Sequence, residues 1–160
     1  MKISMNRKKC SAVVIAAGLI SVFLFSVSPV ADAAESMAVD ARKKLMKTKI
    51  GAGMGQMKKG MKAGDTAQML KGAEMIATAA VKIPAAFEKK EMMGKTRAKA
   101  NIWEKKSDFD AIANSLAESA KAFAVAVKSG ENMAISGALK SVGANCGKCH
   151  KMYRAKKKKK

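Results

Sequence analysis

The chain has 160 residues, with 32 Lys or Arg against 12 Asp or Glu and a formal charge of +20. That length suits one ordinary domain, and the charge suggests an acidic partner surface, anionic lipid headgroups, or simply a solvated face. A single histidine and three cysteines restrict soft-ligand chemistry to one small site.

The N-terminus reads as a targeting segment. Lys2, Arg7, Lys8 and Lys9 form a positive region, an apolar run follows from about Ser11 to Val27, and Ala31-Asp32-Ala33 offers an A-x-A cleavage site. The apolar run is borderline for a membrane anchor, and the small-residue site favours cleavage, so residues 1–33 are expected to be a signal peptide. Cys10 then leaves with it. It follows Arg7-Lys8-Lys9 directly, the wrong setting for a lipid-anchored cysteine. The expected result is a periplasmic protein with no stable membrane insertion. Removing residues 1–33 takes away four basic residues and one acid, which leaves 28 Lys+Arg, 11 Asp+Glu and a formal +17.

Four amphipathic helices are predicted in the remainder, which is rich in the strong helix formers Ala, Lys and Met. The first covers about 36–62, with a stripe through Val39, Arg42/Lys43, Met46, Ile50, Met54, Met57 and Met61 in steps of three or four. Gly51, Gly53 and Gly55 weaken it, and their use is close approach by another helix or a ligand. Gly64-Asp65 breaks the pattern, and Asp65 with Gln68 resembles a capping box. The second helix covers about 66–82, with Met69, Ala73, Ile76 and Ala80 on one face, and Pro84 is expected to stop it.

Residues 84–103 have no sustained period. A connection this long in a compact bundle is usually functional or wraps over the core, and Ile102-Trp103 reads as an apolar plug near its end. The third helix lies within 104–129, with Phe109, Ile112, Leu116, Ala120, Phe123 and Val127 in register and Gly130 as its stop. The fourth covers about 132–154 and presents Leu139, Val142, Cys146, Cys149/His150 and Tyr153 on one face. Short outer links and a long central connection predict an all-α, antiparallel four-helix bundle over 34–155. Lys156 to Lys160 repel one another and are expected to form a disordered tail.

Cys146-Gly147-Lys148-Cys149-His150 carries the chemistry. C-x-x-C-H is the attachment signature of c-type haem: two thiols on one side of a helical turn add to the haem vinyl groups, and the histidine ligates iron. A thioredoxin-like dithiol needs a βαβ setting, and no strand-like stretch appears. A zinc site wants four ligands where only three soft ones exist, and a short disulfide leaves His150, the only histidine, unexplained. The expected cofactor is therefore one covalent haem c in the bundle interior, tied by Cys146 and Cys149 and ligated by His150.

The C-terminal position of this motif resembles the class II cytochromes c, the cytochrome c′ family, and the resemblance runs through the whole mature chain. Val142-Gly143-Ala144-Asn145 before the motif and Tyr153-Arg154 after it are similar to the family's last helix. Ile102-Trp103 and Arg42-Lys43-Lys44-Leu45-Met46-Lys47 match its I-W and R-x-x-x-M-K patterns. On spacing alone Met46 is one of several stripe methionines, a residue type that commonly fills cores. The resemblance implies the low-spin branch, in which Met46 is the sixth iron ligand opposite His150, with Met54 as fallback. It also implies that Arg42 lies near a haem propionate and Arg154 near His150 or the haem edge.

Met/His ligation is an established haem pattern that leaves no position for substrate. The function expected on that basis is a periplasmic monohaem electron carrier, not an enzyme, that docks acidic redox protein partners as a monomer or homodimer. Nucleic acid is not an expected partner, because no recognition motif is present and an exported haem protein would not meet it. The alternative is a five-coordinate, cytochrome c′-like protein that binds NO or CO. A peroxidase needs a distal acid or base, and no second histidine exists.

Overall fold

The computed structural model describes residues 29–157, and the side chains from 37 onward. Most of the predicted signal peptide and the last three lysines lie outside the described residues. Among those described there is no strand, only an isolated antiparallel bridge between Ala98 and Arg154.

The first rod is one long helix with a wide turn inside it. Helix α1 (Pro29–Lys44) passes through a π-helical stretch, Leu45–Gly51, into α2 (Ala52–Ala63). The sequence accounts for that turn. Met46, Ile50 and Met54 follow one another by two steps of four, which turn by about 80° in all on a helix with 3.6 residues per turn. Widening the turn returns all three to one side, and all three line the same cavity.

Gly64 ends α2 in the left-handed conformation at φ 69°, a geometry that glycine adopts at little cost. Asp65 then caps α3 (Thr66–Ala80) by accepting the Gln68 amide at 2.8 Å. Only half of the expected capping box forms: the Asp65 amide donates to Gly60 O at 2.9 Å, so the preceding helix takes the group that Gln68 would have met. Pro84 does not terminate α3 directly. It sits in the first turn of a short helix, α4 (Ile83–Ala86), where its missing N–H costs nothing.

A connection from Phe87 to Ala100 leads to the single turn α5 (Asn101–Glu104), and then α6 (Lys106–Ser129) runs to the Gly130 stop at φ 76°. Helix α7 (Asn132–Tyr153) completes the chain. Helix α2 packs on α3, α3 on α6 and α6 on α7, so the long rods form the antiparallel four-helix bundle that the periodicity predicts. The predicted stripes are its core: Met69, Ala73, Ile76 and Ala80 of α3 and the six named positions of α6 are all buried. Gly53 and Gly72 bring α2 and α3 together, since a Cβ on Gly53 would stand 2.8 Å from Gly72 O.

Candidate haem site

One cavity of about 840 Å³ opens between the first rod, the 87–100 connection and α7. Its size lies within the range of cofactor pockets. Val39, Met46, Ile50 and Met54 come from the first rod, and Cys146, Cys149, His150 and Tyr153 from α7. Residues about a hundred positions apart in sequence thus share one space. Met46 and Met54 are both half-buried on its wall, while Met57, from the same predicted stripe, is fully buried in the bundle core.

Aromatic packing forms the end of the cavity. Phe87 and Phe109 stand 5.1 Å apart between centroids, and Phe109 meets Tyr153 edge to face at 5.3 Å. Edge-to-face and offset pairs at these distances stabilise beyond the area they bury. The Trp103 indole donates to Phe87 O at 2.9 Å, which fixes the start of the connection against α5. The other end is stitched to α7: the Lys99 amide donates to Tyr153 O at 3.0 Å and the Ala155 amide to Arg97 O at 2.8 Å.

The donor set fits a covalent haem. Cys146 and Cys149 are free thiols, side by side on α7. Burial pushes the Cys146 thiol up, and burial together with its neighbour pushes Cys149 up to about 11, so both are held as thiols at neutral pH. Partial burial and nearby Arg97 lower the His150 pKa, which keeps the imidazole neutral with a nitrogen lone pair free for iron. The Tyr153 hydroxyl is buried on the cavity wall and has no hydrogen-bond partner among the described residues. Such an orphaned group is costly unless something polar fills the space beside it.

Charge is arranged on one sign. Lys43, Lys47, Lys58, Lys95, Arg97 and Arg154 reach the cavity, and among the described residues no carboxylate does. Arg154, expected near His150, lies in extended backbone just past α7, and its amide donates to His150 O at 3.2 Å. Arg42 also borders the cavity, but the three nitrogens of its guanidinium donate to Ala86 O, Glu91 O and Lys89 O at 2.6, 2.6 and 2.8 Å. The guanidinium therefore points at the connection. Arg97 and the Tyr153 hydroxyl were not singled out by the sequence. Arg97 lies in a segment with no periodicity, and no signal marks it. Tyr153, four residues past Cys149, shares the inward face of α7 with both thiols, and that face was its signal.

The sequence model of the family described as Cytochrome C' matches residues 37–154. A cytochrome c' of Pararhodospirillum photometricum is 39% identical over 89 residues, covering 55% of this chain and 71% of that protein. A cytochrome c-556 of Agrobacterium tumefaciens (strain apple 185) is 37% identical over 123 residues, covering 74% of this chain and 94% of that one. Among solved structures, cytochrome c' from Thermochromatium tepidum superposes with a TM-score of 0.68 at 26% identity, covering 76% of this chain and 97% of that one. A nitric oxide complex of a mutant cytochrome c prime from Alcaligenes xylosoxidans gives 0.65 at 25% identity, covering 76% and 97%. Bundle, cavity, thiol pair and matched length agree, and the chain belongs to the cytochrome c′ family, whose members hold one covalent haem c.

Proposed function

We propose that this chain is an exported cytochrome c′-type protein that offers the iron face not taken by His150 to small diatomic ligands such as NO or CO. The observation that carries this reading is the apolar patch that Val39, Met46, Ile50 and Met54 form on the first rod's wall of the cavity, among the basic side chains of Arg42, Lys43, Lys47 and Lys58, with no carboxylate among the described lining residues. A haem held there by Cys146, Cys149 and His150 would supply an iron able to bind small neutral ligands. The same wall lacks the acid or base that peroxide cleavage needs, which supports binding over turnover. The family match, and a solved neighbour that is itself a nitric oxide complex, support this reading ahead of electron carrying. Absorption spectra of the mature holoprotein test it. A high-spin ferric spectrum with direct CO binding to the ferrous form is expected, and a low-spin ferric spectrum with a near-infrared methionine band overturns it.

A second reading rests on Met46. Its side chain lines the cavity within the π-helical turn, and π-turns frequently mark functional positions. If its sulfur ligates iron, both positions are filled, and the remaining chemistry is one-electron transfer at the haem edge. The relatives called cytochrome c-556 match across most of their length and are consistent with this reading too.

The basic side chains around the cavity support an acidic partner surface in either case. For location, the leader and its A-x-A site support the periplasm. Among the described residues no helix is long and apolar enough to cross a membrane. Mass analysis of the mature protein is expected to give a chain that starts at Ala34 and carries one haem.

A further inference from the structure

We propose that Arg42 is a latch: a positioning residue that holds the 87–100 connection closed as a wall of the haem cavity. It is 5% exposed, and each of its three side-chain nitrogens holds a different backbone carbonyl, those of Ala86, Lys89 and Glu91. The guanidinium spreads five N–H donors over three nitrogens in a rigid fork, so each nitrogen can reach its own carbonyl. The guanidinium carbon also lies 4.8 Å from the Phe87 ring centroid and 5.7 Å from that of Trp103, and the Glu91 carboxylate approaches to 3.9 Å. The amides of Ala86, Phe87 and Glu88 bond back to residues 82–85, and the Glu91 amide reaches Lys89 O. Without Arg42, Ala86 O and Glu91 O would lose their donors among the described residues, and Lys89 O would keep only the Glu91 amide.

The wall matters because Phe87, Lys95, Arg97 and Ala98 of this segment border the cavity. Its far end is tied to α7 through Tyr153 and Ala155, next to the haem motif. Its near end is tied by Arg42, four residues before Met46 on the same rod, with the Trp103 indole on Phe87 O and a Lys106–Glu88 ion pair at 3.5 Å beside it. Between the two ties lies an exposed stretch around Met92, Met93 and Gly94, the last at φ 79°. The connection is thus a strap pinned at both ends, and releasing the Arg42 pin opens the cavity sideways. This role differs from the propionate contact that the resemblance implies. It rests on the haem occupying this cavity and does not depend on which sixth ligand the iron has.

The test uses the holoprotein with Arg42→Lys and Arg42→Gln. A lysine keeps the charge but cannot span three carbonyls. Both variants are expected to be cleaved by trypsin after Lys89, Lys90 and Lys95 about tenfold faster than wild type, since cleavage follows the population of the open form. Both are also expected to rebind CO faster after photolysis. If Arg42→Lys matches wild type in both measurements and only Arg42→Gln shifts the reduction potential, the arginine is a propionate contact and the latch is overturned. Wild-type hydrogen exchange gives an answer even if the variants do not fold. The amides of Phe87, Glu88 and Glu91 should exchange about tenfold more slowly than those of 92–96, and equal rates refute the latch. A failure of the gas-binding reading would alter the CO arm alone and leave the cleavage and exchange arms intact.

Discussion

Gly53 and Gly72 face each other in backbone contact: a Cβ on Gly72 would lie 2.6 Å from Gly53 O and 2.7 Å from the Met57 amide nitrogen. This contact sets how closely α2 and α3 pack, and so holds the rod that carries Met46 and Met54 in place beside α7. Neither neighbour is a side chain that can turn away. Gly72→Ala is therefore expected to force the helices apart and to cost about 1–3 kcal/mol. Gly55 supplies the control, because nothing lies within 4 Å of a Cβ there. Gly55→Ala should gain helix propensity and stabilise by about 1 kcal/mol. Urea unfolding of the two holoproteins measures both, and equal effects would show that helix propensity and not packing governs Gly72.

Met46→Leu conserves volume on the cavity wall and removes the sulfur. On the diatomic-ligand reading it leaves the ferric spectrum high-spin and changes CO affinity by less than about threefold, below 1 kcal/mol. Conversion from low-spin to high-spin in this variant identifies Met46 as the sixth ligand and moves the protein to the electron-carrier reading. Met54→Leu, made alongside, distinguishes the two methionines that share the wall.

Each thiol is expected to form one bond to the haem. Cys146→Ser or Cys149→Ser alone should leave a singly attached haem that remains with the denatured chain. The double variant should release its haem into acidified organic solvent and show a bare polypeptide mass. Haem that stays attached in the double variant would place the attachment elsewhere.

The rim of the cavity is cationic without a carboxylate among its lining residues, so a small anion should be drawn to it. Oxidation of the ferrous protein by ferricyanide should slow as salt rises, because the Debye length shrinks from about 30 Å at 0.01 M to about 3 Å at 1 M. A neutral oxidant should show little of this effect. Lys47→Glu with Lys95→Glu should flatten the salt dependence, measured by stopped-flow absorbance. An unchanged slope in that double variant would locate the attracting charge elsewhere on the surface.

Much of this protein is legible in the chain itself where the physics is local. Cys146, Cys149 and His150 are contiguous within one helical turn, so their spacing alone states the chemistry they serve. The stripes of α3 and α6 repeat with the helical period, and burial follows directly from that period. Asp65 and Gly64 act on their own neighbours, and even there the reciprocal Gln68 contact was lost to a carbonyl of the previous helix.

What only the tertiary structure decided concerns groups that meet across long separations. Periodicity does not say which methionine of a stripe reaches a cavity and which fills the core. The π-helical turn, the rod's position and the packing of Gly53 on Gly72 send Met46 and Met54 to the cavity and Met57 inward. The resemblance implied a propionate contact for Arg42, and its hydrogen bonds to the connection were not legible in the sequence. Its partners are carbonyls more than forty residues away, in a segment with no period to reveal that it folds back. A hydrogen bond depends on where two groups end up in space, and for residues this far apart only the folded chain specifies that.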